Sequence, residues 1–157
     1  MKKPIYLLLL LAFVATHIVA QERANSSKSY TASVQTGKVM LFDGKTNEDI
    51  ITPNAAASSY DLKNAVENVF VDKNSGSVFF TASQVDKDGY KSYLTWKYNT
   101  QTKQLSAFRD GKIESIAENG DLTIGYGGDV SKGTYPRTIV VVTSDGIAKN
   151  VKKTYKN

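Results

Sequence analysis

The chain has 157 residues and is 41% hydrophobic, 22% charged and 10% aromatic, with a formal net charge of +5, one histidine and no cysteine. This is a globular composition of single-domain length, enough chain to bury a core without covalent staples. The lack of cysteine excludes thiol catalysis, iron–sulfur clusters, disulfide frameworks and every cysteine-bearing zinc site.

Residues 1–20 read as a targeting segment and not as fold. Lys2 and Lys3 precede an almost unbroken apolar run from Ile5 to Ala15, and Ala20 stands before the polar Gln21-Glu22-Arg23. That is the pattern of a secretory signal peptide cleaved after Ala20. Thr16 and His17 interrupt the run before it reaches the roughly 20 apolar residues of a membrane span. The expected location is therefore periplasmic or secreted, with no transmembrane segment after cleavage. Cleavage also removes the only histidine. An exported chain with neither His nor Cys cannot run a Ser-His-Asp triad, a Cys-His dyad or a histidine-ligated metal site. No metal and no cofactor are expected, and any catalysis would rest on carboxylate pairs, Lys or Tyr.

Gln21 to Ser29 is polar and Ser-rich, the composition of a flexible leader. Residues 30–157 read as a single all-β repeat domain. Five pairs punctuate it: Asp43-Gly44, Asp88-Gly89, Asp110-Gly111, Asn119-Gly120 and Asp145-Gly146. Such pairs tolerate the positive φ of tight hairpins. Between them lie about eleven short β-rich runs. Tyr93 to Tyr98 alternates, with Leu94, Trp96 and Tyr98 on one face and Tyr93, Thr95 and Lys97 on the other. The one helical candidate is Tyr60 to Asn68, where Leu62 and Val66 stand at i, i+4 behind Asp61.

Internal repetition organises the rest. A shift of 45 residues lays Val85 on Val130, Lys87 on Lys132 and Tyr90 on Tyr135, and one residue out of that register the hairpin Val69–Val78 parallels Ile113–Leu122. Two units of four strands follow: 68–72, 77–83, 91–98 and 103–108, then 112–117, 121–126, 136–143 and 146–152. A shorter unit over Tyr30 to Pro53 precedes them. A four-stranded unit of 40–45 residues is propeller-blade-like.

The stretches Tyr98-Asn99-Thr100-Gln101-Thr102-Lys103-Gln104-Leu105 and Ile116-Ala117-Glu118-Asn119-Gly120-Asp121-Leu122 resemble the blade hairpins of exported bacterial β-propellers. The resemblance covers roughly residues 68–151 and implies repeated four-stranded antiparallel meanders. Propellers close with 4–8 blades, so two to three units imply completion by self-association, a fragment of a larger ancestor, or an open sandwich.

Candidate sites are few. Asp86-Lys87-Asp88-Gly89 lacks the ligand pattern of a calcium loop, since Lys97 stands where the twelfth-position Glu should be, and it reads as a hairpin. Lys87 with Tyr90, and Lys132 with Tyr135, occupy equivalent connections between second and third strands, which makes them a candidate ligand-binding rim. Trp96 with Tyr93 and Tyr98 is a candidate stacking platform for a glycan or a protein, although the alternation favours burial on a strand's inner face. Scattered lysines and modest charge do not point to nucleic acid. Lys149, Lys152, Lys153 and Lys156 read as guards of a final edge strand. Two functions remain. One is an exported non-catalytic binding or scaffolding protein of the cell envelope, with an unknown protein or glycan ligand. The other is a carboxylate-based hydrolase acting on carbohydrate.

Overall fold

The structure, a computed structural model, describes residues 29–35, 37–51, 62, 65–127 and 137–154. Within them the chain forms eleven strands: β1 Thr31–Gln35, β2 Lys38–Phe42, β3 Asn47–Asp49, β4 Val66–Val71, β5 Val78–Val85, β6 Lys91–Asn99, β7 Gln104–Asp110, β8 Lys112–Ile116, β9 Leu122–Tyr126, β10 Arg137–Val142 and β11 Ala148–Thr154. Every pairing is antiparallel and joins neighbours in sequence. The result is a three-stranded sheet β1-β2-β3 and two four-stranded meanders, β4-β5-β6-β7 and β8-β9-β10-β11. Both four-stranded units expected from the sequence are present as sheets.

The three sheets stack, with β4–β7 in the middle. On one side Val78, Phe80, Ala82, Trp96 and Tyr98 close over Val39, Leu41, Ile50 and Ile51 of the first sheet's region. On the other, Phe79 enters a second cluster with Ile113, Leu122, Ile124, Val140 and Val142 of the third sheet. Alternate residues of β5 thus point into different cores, and its first six residues are all buried. A strand covered on both faces reads as a continuous apolar run, and Val78-Phe79-Phe80 is that run.

The tight turns follow their sequence chemistry. In Asp86–Tyr90 the Asp86 N–H donates to Tyr90 O at 3.0 Å and the Gly89 N–H to Asp86 O at 3.1 Å. Gly89 has φ +80°, the left-handed residue that completes a type I turn with a bulge. Ala117–Asp121 and Thr143–Ile147 repeat the same two bonds.

Two sequence expectations are corrected. Residues Val66 to Asn68 of the helical candidate lie in β4; a single i, i+4 apolar pair does not separate a short helix from a strand buried on both faces. Leu62 is a buried turn residue and Ala65 lies just before β4; residues 60, 61, 63 and 64 lie outside the described residues. Asp110-Gly111 is not a hairpin turn. It carries the chain from β7 of the central sheet directly into β8 of the third. Gly111 has φ +108°, and a Cβ there would stand 2.7 Å from Ile124 Cγ2 and 2.8 Å from Gly125 O. Only glycine fits this passage.

Beyond Gly111, β8 crosses the middle of the central sheet, and side chains from three different strands hold it. Thr95 Oγ1 of β6 donates to Gly111 O at 2.9 Å. Thr81 Oγ1 of β5 accepts from Ile113 N at 3.0 Å, and Asn68 Nδ2 of β4 donates to Ile113 O at 2.6 Å. Thr81 and Thr95 are fully buried, so this polar seam lies inside the molecule.

Candidate functional site

The β5–β6 hairpin outruns its neighbours. Pairing with β4 stops at Ala82 and pairing with β7 at Leu94, whereas β5 and β6 remain paired out to Val85 and Lys91. Gln84 to Ser92, nine consecutive residues, are exposed. An isolated two-stranded ribbon is marginal in water, and local bonds preorganise this one. Asp86 Oδ1 accepts from Asp88 N at 2.9 Å and Tyr90 N at 2.8 Å. The tip therefore presents Lys87 and Tyr90 on a defined turn, and Tyr90 is 60% exposed.

The base of the ribbon holds a cluster whose charged members are 20 or more residues apart in sequence. Glu67 of β4 forms ion pairs with Lys91 of β6 and with Lys112 of β8, the latter at 2.7 Å. Both ammonium groups stand 5.4 Å from the centroid of the Tyr93 ring, within cation–π range. Burial alone would raise the Glu67 pKa, but hydrogen bonds from Lys112 and Lys91 outweigh it and hold the carboxyl below its ordinary value. The hydrogen bond to Glu67 correspondingly raises Lys91. The cluster braces the ribbon against the third sheet through Lys112.

Of the five residues read from sequence as a ligand site, Lys87 and Tyr90 stand together at this tip. Lys132 and Tyr135 lie outside the described residues. Trp96 is corrected: it is 9% exposed and packs between the central and first sheets among Val39, Leu41, Phe80 and Tyr98, so it offers no stacking platform. Its face was set by strand alternation, since Trp96 pairs with the inward Phe80 across β5–β6. Sequence reasoning did not find Glu67, Lys91 and Lys112, because the pairing order of the central sheet brings Glu67 to Lys91 and only the crossing of β8 adds Lys112.

Most of the described acids are occupied elsewhere. Asp72, 2% exposed, accepts from Asn74 N at 3.0 Å and from Ser75 Oγ at 2.6 Å. Asp43 accepts from Lys45 N and Thr46 N. Glu114 pairs with Arg137, Asp121 with Lys149, Glu48 with Lys103 and Asp49 with Lys38. No group of three or more metal-ligating acids occurs among the described residues, and no helix among them is long and apolar enough to cross a membrane. Comparisons with protein-family models, curated proteins and solved structures give no match.

Proposed function

We propose that the chain is an exported, non-catalytic binding or scaffolding protein of the cell envelope, periplasmic or secreted, that engages a protein or glycan ligand through the Asp86–Tyr90 hairpin. The observation that carries this reading is the braced ribbon, which holds Lys87 and an exposed Tyr90 clear of the sheet. An aromatic on a rigid turn supplies contact area at low entropic cost. The acids support it too: most of those described, Asp43, Glu48, Asp49, Glu67, Asp72, Asp86, Glu114, Asp121 and Asp145, cap turns or pair with cations.

The reading includes repeated, blade-like units, and the strand register supports it. Val78 and Phe80 stand opposite Tyr98 and Trp96, and Leu122 and Ile124 stand opposite Val142 and Val140. Each set faces the preceding sheet. A shift of 44 residues therefore relates the inward residues of the two sheets. That is the register in which the sequence lays Val69–Val78 on Ile113–Leu122; the shift of 45 that aligns Lys87 and Tyr90 with Lys132 and Tyr135 would exchange inward for outward faces, because side chains alternate with a period of two. On this reading self-association that completes a propeller adds further sheets to the stack.

The test is site-specific photocrosslinking in the producing cell, with the probe at position 87 or 90 and, as control, at Ser115 on β8. A discrete adduct from 87 and 90 but not from 115, on a chain whose N-terminus is near Gln21, is the expected result. Release of reducing sugars from a polysaccharide, abolished by Glu67→Gln, would replace this reading with the hydrolase one. A folded product that retains Met1 would overturn cleavage after Ala20, and a product found only in the cytoplasm would overturn the location.

A further inference from the structure

Independently of the Asp86–Tyr90 reading, we propose that Asn119-Gly120 is a self-modification site whose conversion to isoaspartate frees the β8–β9 turn from the central sheet. It is the one Asn-Gly bond in the chain. The reaction needs only water. The Gly120 nitrogen, deprotonated by solvent, bonds to Asn119 Cγ, the Cγ–Nδ2 bond breaks, and ammonia leaves with a proton from water. Glycine suits this step, because no Cβ crowds the closing ring or restricts the main chain. Water then opens the five-membered imide at either of its carbonyls, so one water enters for each ammonia lost. One opening leaves aspartate, and the other leaves isoaspartate, whose main chain is longer by one carbon.

In the closed turn neither reactant is free. Gly120 N–H donates to Ala117 O at 2.9 Å, so the nucleophile is engaged with the backbone. Both ends of the Asn119 amide are held by Asp121: Oδ1 accepts from its N–H at 3.1 Å, and Nδ2 donates to its Oδ2 at 2.9 Å. Lys149 of β11 donates to the two oxygens of that carboxylate at 2.8 and 2.7 Å. The hydrogen bond from Lys149 holds the Asp121 carboxyl below its ordinary value, and the one from Asn119 adds to it. Attack therefore starts from an opened turn, and its rate follows the population in which the Asp121–Lys149 clamp has let go.

The turn is also docked, and the longer main chain does not fit the dock. Asp72 of the β4–β5 turn is 2% exposed, and a Cβ on Gly120 would stand 3.0 and 3.2 Å from its two oxygens. Asn74 Nδ2 beside it donates to Glu118 O at 2.9 Å. One more carbon between residues 119 and 120 pushes Gly120 against that carboxylate, whose own bonds to Asn74 N and Ser75 Oγ keep it in place. Aspartate does fit. Asp88-Gly89 and Asp145-Gly146 make the same two backbone bonds in their own turns.

The test ages the full exported chain at mildly alkaline pH and follows residue 119 by peptide mapping that separates aspartate from isoaspartate. Conversion in the folded chain should be slower, by about tenfold or more, than in the same chain held in guanidinium. Asp121→Ala and Lys149→Ala should each speed conversion of the folded chain severalfold and leave the unfolded rate little changed. Lys149 is exposed, so its variant decides the matter if Asp121→Ala does not fold. The isoaspartyl fraction should lose hydrogen-exchange protection at the Gly76 and Gly120 amides, whereas Asn119→Asp should retain it. Equal rates in the folded and unfolded chains, no acceleration by either variant, or an isoaspartyl chain with parental exchange over 72–77 and 117–121 would overturn the proposal.

Discussion

The two faces of the central sheet are built differently. Towards β1–β3 the contact is a broad apolar layer of large side chains, Phe80, Trp96, Tyr98, Leu41 and Ile51. Towards β8–β11 the apolar cluster is smaller, although Phe108 adds an edge-to-face contact to Phe79 with ring centroids 5.1 Å apart. Directed bonds supplement it there: the Thr81, Thr95 and Asn68 seam, with Lys97 Nζ donating to Ser144 O at 2.8 Å. Apolar burial is non-directional and sets how strongly two layers adhere. Buried hydrogen bonds are costly to leave unmade and so set where a layer sits. The first face supplies cohesion, and the second supplies register.

Four substitutions would break or sharpen that contrast. Trp96→Ala in the apolar face should cost about 3–5 kcal/mol, read by chemical denaturation. A loss under about 1 kcal/mol would mean that the first sheet is loosely applied. Gly111→Ala strikes the passage into the third sheet, where the new Cβ meets backbone as well as Ile124. Overpacking together with a positive φ should cost about 3 kcal/mol, and hydrogen exchange should show β8 and β9 loosened more than β1 and β2. Thr81→Val keeps the shape but strands the Ile113 N–H, an expected loss of about 1–3 kcal/mol.

Glu67→Gln should have the smallest effect at neutral pH and a distinctive one away from it. A carboxyl held below its usual value of about 4.5 contributes stability that is present above that value and lost as pH falls through the folded one. Lys91, raised above its ordinary 10.5, contributes stability that is present below that value and lost as pH rises through the folded one. The variant should therefore flatten both limbs of the melting temperature against pH. Limbs unchanged from the parent would show that the cluster does not brace the ribbon.

Much of this architecture was legible because hairpin chemistry is local. Asp-Gly and Asn-Gly pairs with alternating runs between them mark β5 to β7 and β8 to β11, and alternation alone assigns Trp96 to an inner face. What depended on stacking was not legible. Asp110-Gly111 has the same letters as Asp88-Gly89, yet one links two sheets and the other turns within one. The sequence carries both repeat shifts, 45 and 44, but which of them relates the buried faces is set only by the stacking. The Glu67–Lys91–Lys112 cluster exists only because β8 crosses β4, β5 and β6.

Gly111 also bears on how the chain reaches this state. Every strand pairs with a neighbour in sequence, so each sheet can assemble by closing short loops, the inexpensive kind in chain entropy. The two meanders are then joined by one residue, which holds β8 at high effective concentration over the surface that it must cross. Low contact order of this kind favours rapid folding for an all-β chain. The same tether leaves little slack for β8 to seek an alternative partner before it docks.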